Sequence, residues 1–476
     1  MSCSSDKKSR KTNQKNMNHD NRDAIDFANE PVGRLFRKMI VPTLVSMVSM
    51  VILNLTDGAF IGHGAGSDAL AAINIAAPIF NLLAGVGIMF GIGCSVVASI
   101  HLAQGNVKSA HINITQALIG ALGITVIICG LMLSDLSNTC RLFGSNEALI
   151  PLASSYLKGI AACEPLFMLH MVGNFIVRLD GSPKFAMATS IVGTVLNIFL
   201  DWLFIFPFGW GLEGAAIATS ISFSIAGLMV LGYLLFASKT LHLYRLRMTM
   251  KSLMLTLRNL GYQTKMGFSA MLGEVAVSGA IITGNYVFIH YQGEAGVAAY
   301  SVACYCFPMI FMMANAIVQS GQPIVSFAYG AGNHTRLIES RSMMLRWAVT
   351  TGAMVSVGMY FCSDYITLLF LDVTEPAYAL CIGGLPYFGL GVLFLTLNIV
   401  LIGFMQSIEQ PYRATIFTLL RGFVIVIPTF IILPQLIGNA GMWLAIPTAE
   451  LITLLLIIIN QQVLSKRNVS SMNSKQ

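Results

Sequence analysis

Four carboxylates stand inside otherwise apolar runs: Asp57 in "LNLTDGAFIG", Glu164 in "CEPLF", Asp201 in "LNIFLDWLFIF" and Glu274 in "MLGEVAV". A charge at the centre of a membrane helix costs at least about 2.5 kcal/mol. Each acid therefore needs a partner, a proton or a task. The bases nearest to them, Lys158 and Arg421, fall toward the ends of their runs. Asn197 precedes Asp201 by four residues, so on a helix the two side chains share one face. The next run, "LEGAAIATSIS", offers the small residues Gly214, Ala215, Ala216 and Ala218, which let two helices approach closely and bring the Thr219 hydroxyl toward that face. Asp57, late in the first run, falls at a similar depth. Carboxylate, amide and hydroxyl oxygens are hard ligands that suit a proton or a sodium ion. Burial and a second nearby carboxylate each favour the neutral form of an acid. Asp201 is thus read as an acid placed to be neutralised reversibly.

The elements that must hold these groups are membrane helices. Of 476 residues, 55% are hydrophobic and 10% charged, and the mean hydropathy is +0.73. A soluble domain carries about 25% charged residues. Apolar runs near 37–61, 71–99, 112–134, 150–177, 184–206 and 213–237 precede a second set near 265–289, 297–325, 342–362, 379–406, 412–433 and 439–463. Each is close to the roughly 20 residues that cross a bilayer as a helix. An even count leaves both termini on one side. Lys108, Arg178, Lys184, Lys239, Arg245, Arg247, Lys251, Arg258, Lys265, Arg336, Arg341, Arg346 and Arg413 fall in one set of connections, and the opposite set holds little beyond Arg141. That asymmetry predicts a multi-pass protein of the cell (inner or plasma) membrane with cytosolic termini.

The chain also repeats itself. "KMIVPTLVSMVSMVILNLTDGAFIG" from Lys38 parallels "KMGFSAMLGEVAVSGAIITGNYVFI" from Lys265, with Asp57 opposite Asn285 (285 − 57 = 228). "GSPKFA" parallels "EQPYRA", with Pro183 opposite Pro411 (411 − 183 = 228). Six spans per unit is even, so the two units share one topology and can rock about a cleft between them. The predicted fold class is an all-α integral membrane protein of twelve transmembrane helices in two pseudo-symmetric six-helix lobes around a central cleft. The predicted divisions are a disordered cytosolic tail (1–34), an N-terminal lobe (35–237), a cytosolic connector (238–264), a C-terminal lobe (265–463) and a second cytosolic tail (464–476). The connector stretch Leu246–Leu260 mixes bases and aliphatics at helical spacing and reads as a helix on the inner membrane surface.

Several function classes fall away. The net charge of +7 is spread over short loops and tails, not gathered on one face, which argues against nucleic acid as a partner. The nine cysteines form no disulfide framework, and Cys304 and Cys306, two apart, point to different helix faces. No HExxH, Walker loop or GxSxG occurs, so no enzyme activity, cofactor or metal is expected beyond a coupling ion. An intramembrane enzyme would need a nucleophile or paired histidines near a membrane face. A channel would show charged or carbonyl rings from an oligomer, whereas an internal repeat fits a monomer. His63 and His290 fall at matching repeat ends, and His170, in the fourth run, reads as a packing residue.

Taken together, Pro42, "TDGAFIGHGAG" and "GSPKFAMATSIVGTVLNIFLDWLFIFPFGWGLEGAAIATS" resemble the multidrug and toxin extrusion (MATE) family, over about residues 35–463. The resemblance implies a secondary exporter that couples efflux of small organic cations or drugs to inward H+ or Na+. It implies an ion site in the first lobe at Asp57, Asn197, Asp201 and Thr219, with a backbone carbonyl from Ala215 and a hydroxyl from Tyr156. Sodium would sit at Asp57, Asn197 and Thr219. Pro42 matches the proline at which the first helix bends, and losing a helical hydrogen bond there makes a kink physically sensible. Glu274 matches a seventh-span acid. The sequence departs from the family pattern at Ser269, at Asn285 and near Asn398, where an acid used by some members is missing, so the ion is assigned to the first lobe. Glu164 matches no motif; contact with substrate, pairing with Lys158 or a backbone bond all remain open for it. A lipid-linked oligosaccharide flippase of the same broad superfamily is the alternative, but its anionic headgroup calls for a basic cleft and this one reads as acidic.

Overall fold

The structure, a computed structural model, describes residues 25–142, 147, 149–246 and 249–473. Residues 1–24 of the expected tail, and Arg247 among the loop bases, lie outside the described residues. Among those described there are helices and no strands. In chain order the first half contains α1 (Val32–Gly64), α2 (Ser67–Ala103), α3 (Val107–Ser134), the short α4 (Leu136–Leu142), α5 (Ile150–Ala161), α6 (Glu164–Leu179), α7 (Pro183–Ile205) and α8 (Gly211–Gly232), which ends in a π turn, Tyr233–Ala237. The second half contains α9 (Met250–Gly330), α10 (His334–Phe361), the short α11 (Ser363–Leu368), α12 (Pro376–Ser407), α13 (Pro411–Leu419), a π turn at Leu420–Val424, α14 (Val426–Ile437) and α15 (Asn439–Asn473).

Among the described residues, nine helices are long and apolar enough to cross a membrane. The pair α5 and α6, bent by 55° at their junction, makes a tenth crossing. Pro165 accounts for the break, because it has no N–H to give to the carbonyl one turn back. The 81-residue α9 is two crossings joined at Gly293, whose φ of 64° is left-handed and suits glycine. The remaining crossing is α10, whose first turns carry Arg336, Glu339, Arg341 and Arg346 and so dilute its apolar character. The protein is an all-α, multi-pass membrane protein.

One expected element is different. Of the stretch Leu246–Leu260, the part from Met250 onward is not a separate surface helix. A helix starts at Met250, capped by the Thr249 hydroxyl, which accepts from the Ser252 N–H at 3.2 Å, and it runs without interruption into the seventh crossing. No proline interrupts this stretch, and a helix once nucleated adds residues at little cost. Its early turns lie against α3: Gln116 donates to Thr256 at 2.9 Å and accepts from Asn259 at 3.1 Å, and Gln263 donates to Asn113 Oδ1 at 3.0 Å.

The halves meet most intimately where α2 crosses α9. The backbones touch there, because a Cβ on Gly93 would collide with the Gln263 carbonyl and one on Gly267 with that of Met89. Farther along, Ser99 donates to the Pro323 carbonyl at 3.0 Å and Gln322 to that of Ile92 at 3.3 Å. This seam joins the two halves along α2 and α9. Gly267→Val is expected to lower stability by about 1–3 kcal/mol, the usual cost of overpacking, or more if the backbones cannot separate. Thermal unfolding of the detergent-solubilised protein would measure it.

Candidate ion and substrate site

Above that seam lies a cavity of about 440 Å³ between the halves. That is the size of a drug-binding pocket. Asp57, Tyr156, Glu164 and Thr219 line it from the first half, and Glu274, Asn315 and Gln319 from the second. Asn54 and Asn81 also line it and are exposed, so it is open on the side away from the seam.

The polar group in the first half is built by three helices. Asn197 and Asp201, one turn apart on α7, are both fully buried, and the Asn197 amide donates to Thr219 Oγ1 of α8 at 3.1 Å. Small residues on α8 permit this approach: Ala215 and Ala216 are buried, and a Cβ on Gly214 would already press on Phe204. Asp57 comes in from α1, which packs along α7, and its carboxyl lies close to that of Asp201. Tyr156, buried on α5, lies within electrostatic reach of Asp57, Asp201 and Glu164.

The bonds left unmade matter most. Asp57 Oδ1, Asn197 Oδ1 and both carboxyl oxygens of Asp201 are buried without a hydrogen-bond donor. Two ionised carboxylates have no hydrogen to exchange, so these four acceptors stay undonated. Buried polar groups are normally satisfied. One proton or one hard cation placed among them would supply what is missing, and the donor set of carboxylate, amide and hydroxyl oxygens suits either.

The other expected residues stand outside this polar group. Glu164 opens α6, is 2% exposed and has neither oxygen hydrogen-bonded, so it pairs neither with Lys158, which is exposed, nor with the backbone. Glu274 is half-buried on α9, across the cavity from Asp57. Asn285 is farther along α9 and is not among the residues that line the cavity; its Oδ1 is buried and undonated. Pro42 is buried inside α1, which continues as one helix through it. His63 and His290 are exposed near helix ends, and His170 is buried beside Asn174, whose amide lies 3.2 Å from the ring nitrogens.

Two charged features were missed or misplaced. Arg178, expected in a cytosolic connection, is 5% exposed in the last turn of α6 and lines the cavity. Glu450, on α15, is a fifth acid and interrupts the apolar run "AIPTAELITLLL" just as the other acids interrupt theirs. It pairs with Arg421, set in the π turn, at 2.7 Å, and accepts from the Asn398 amide at 2.7 Å. Arg421 is therefore a buried base with a partner and not an end-of-span residue.

The family model described as MatE matches residues 42–203 and again 269–432, well over half of the chain. The chain belongs to the MatE family. The two matched segments correspond to the two repeat units read from the sequence. This MatE protein is 25% identical over 434 residues to the multidrug export protein MepA of Staphylococcus aureus, covering 89% of this chain and 92% of that one. It is 26% identical over 439 residues to MepA of Staphylococcus saprophyticus, covering 90% and 93%. Among solved structures, a MOP superfamily transporter from Pyrococcus furiosus superposes with a TM-score of 0.84 at 21% identity, covering 94% of this chain and 98% of that one. A multidrug resistance MATE family transporter described in an outward-facing conformation gives 0.84 at 21% identity, covering 94% and 100%. These structural likenesses speak for the fold.

Proposed function

We propose that this MatE protein is a secondary active exporter of organic cations and drugs, driven by inward H+ or Na+ and working by alternating access in the cell membrane with both termini cytosolic. The observation that carries the proposal is the set of buried, undonated oxygens on Asp57, Asn197 and Asp201 beside a drug-sized cavity. The MepA relatives, named as multidrug export proteins, support the same reading.

In this mechanism Asp57, Asn197, Asp201 and Thr219 hold the coupling ion, with the Tyr156 hydroxyl and the Ala215 carbonyl completing the shell. With both carboxyls charged, Asp57 and Asp201 repel, and α1 is held away from α7. A proton or Na+ arriving from the open side cancels that repulsion and draws α1 onto α7. Because α1 also forms a wall of the cavity through Ser46, Met50 and Asn54, the shift expels bound substrate. Pro42, lacking one helical hydrogen bond, is where α1 would yield. Glu164, unpaired in the wall, and Glu274 attract the positive end of the substrate, while Asn285 contributes to coupling farther along α9. In this reading the conformation with α2 and α9 in close contact is the one that releases outward. The protein acts as a monomer in the lipid bilayer and needs no cofactor other than the ion.

Purified protein in liposomes, with pH and sodium gradients imposed separately, tests this. One gradient should drive movement of a cationic dye against its concentration. If neither does so, the coupled-export reading falls.

A further inference from the structure

We infer that Arg178 makes the floor of the cavity a subsite for an anionic group, so that the cavity takes zwitterions, with a carboxylate on Arg178 and the amine toward the acid-lined opening. This deepens the export reading above and rests on it.

A guanidinium has five N–H donors. Among the described residues Arg178 forms no ion pair, and its Nη1 donates to the neutral Gln319 Oε1 of the second half at 2.5 Å. The nearby Asp180 is not its counter-ion. That carboxylate accepts from the Tyr233 hydroxyl at 2.7 Å and from the backbone N–H groups of Lys239, Thr240 and Leu241 at 2.8–2.9 Å. A buried charge without a partner is costly. Yet no nitrogen of Arg178 is both buried and unbonded, as the Nε atoms of Arg336 and Arg341 are. Its remaining N–H groups therefore face the cavity, which Arg178 lines together with Asn174, Ser190 and Gln319. The Phe175 ring, 5.9 Å from the guanidinium carbon, supports one flank.

The cavity is thus polarised along its length. Glu164 and Arg178 are the first and penultimate residues of α6, 14 positions apart. At 1.5 Å per residue their Cα atoms stand about 21 Å apart along the helix axis, a gap that two long side chains narrow to the span of an extended drug. Planar, two-pronged N–H geometry selects carboxylate over halide or neutral acceptors.

The test uses two probes that differ in one group: rhodamine 6G, an ester and a cation, and rhodamine 19, the same dye as the free acid and a zwitterion. Binding of each to the purified full-length chain is followed by fluorescence polarisation. Wild type should bind the acid at least as tightly as the ester. In Arg178→Gln the ratio of Kd for acid to Kd for ester should rise roughly tenfold, the loss of one charge-assisted contact, and Arg178→Lys should recover part of it. An unchanged ratio in Arg178→Gln would overturn the subsite. So would a wild type that favours the ester about tenfold, a result that needs no variant to fold. Binding of the ester alone would leave the export reading standing, whereas binding of neither dye would take that reading down as well.

Discussion

Asp201→Asn is expected to reduce gradient-driven efflux from proteoliposomes to the leak of protein-free vesicles, while the protein still inserts and melts as wild type does. Asparagine has nearly the same shape, and its amide N–H groups add donors to a site where Asp57 Oδ1 and Asn197 Oδ1 have none. Folding should therefore be unharmed. What asparagine lacks is a charge that can be gained and lost, and the proposed cycle depends on that alone. Asp57→Asn should behave alike, because either substitution leaves one carboxyl without its repelling neighbour. Drug resistance equal to wild type in cells producing either variant would remove the ion from this site.

The second large effect concerns stability. Arg421→Ala is expected to cost about 3–5 kcal/mol, because it strands the Glu450 carboxylate in the interior. The pair is 6% and 5% exposed, the guanidinium donates through both Nε and Nη2, and the Asn398 amide holds the second carboxylate oxygen. Arg421→Met combined with Glu450→Leu should recover most of that loss, since apolar replacements of similar volume remove both charges together. Thermal melts of the single and double variants measure this. A single variant as stable as wild type would mean that the pair contributes nothing to holding α15 against the π turn. The repeat makes the pair informative: 228 residues earlier, Arg421 corresponds to Gly193 (421 − 228 = 193). The first half has a small residue there and, in the proposed cycle, keeps Asp201, two turns away, as an exchangeable acid. The second half spends its acid on a fixed internal bond.

This contrast explains where reading the sequence succeeded and where it did not. Asn197, Asp201 and Thr219 could be brought together on paper, because a four-residue spacing and a run of small residues are local facts about two consecutive helices. The same local property, an acid inside an apolar run, marks Glu450 as well. Arg178 was beyond such a reading. It stands near a chain reversal next to Gly181 and Pro183, which in one dimension looks like a loop, and its burial depends on Gln319, 141 residues away on the other half.

From the order of residues alone came the membrane setting, the helical class, the internal repeat and the cluster of hard oxygens, because hydropathy, periodicity and spacing are properties of neighbours along the chain. Tertiary structure decided which charges are answered. It left Glu164 without a partner, gave Arg421 one, buried Arg178 at the cavity floor, and carried the expected connector straight into α9. The physical reason is that the cost of a charge is set by the atoms around it, and those atoms come mostly from distant parts of the sequence.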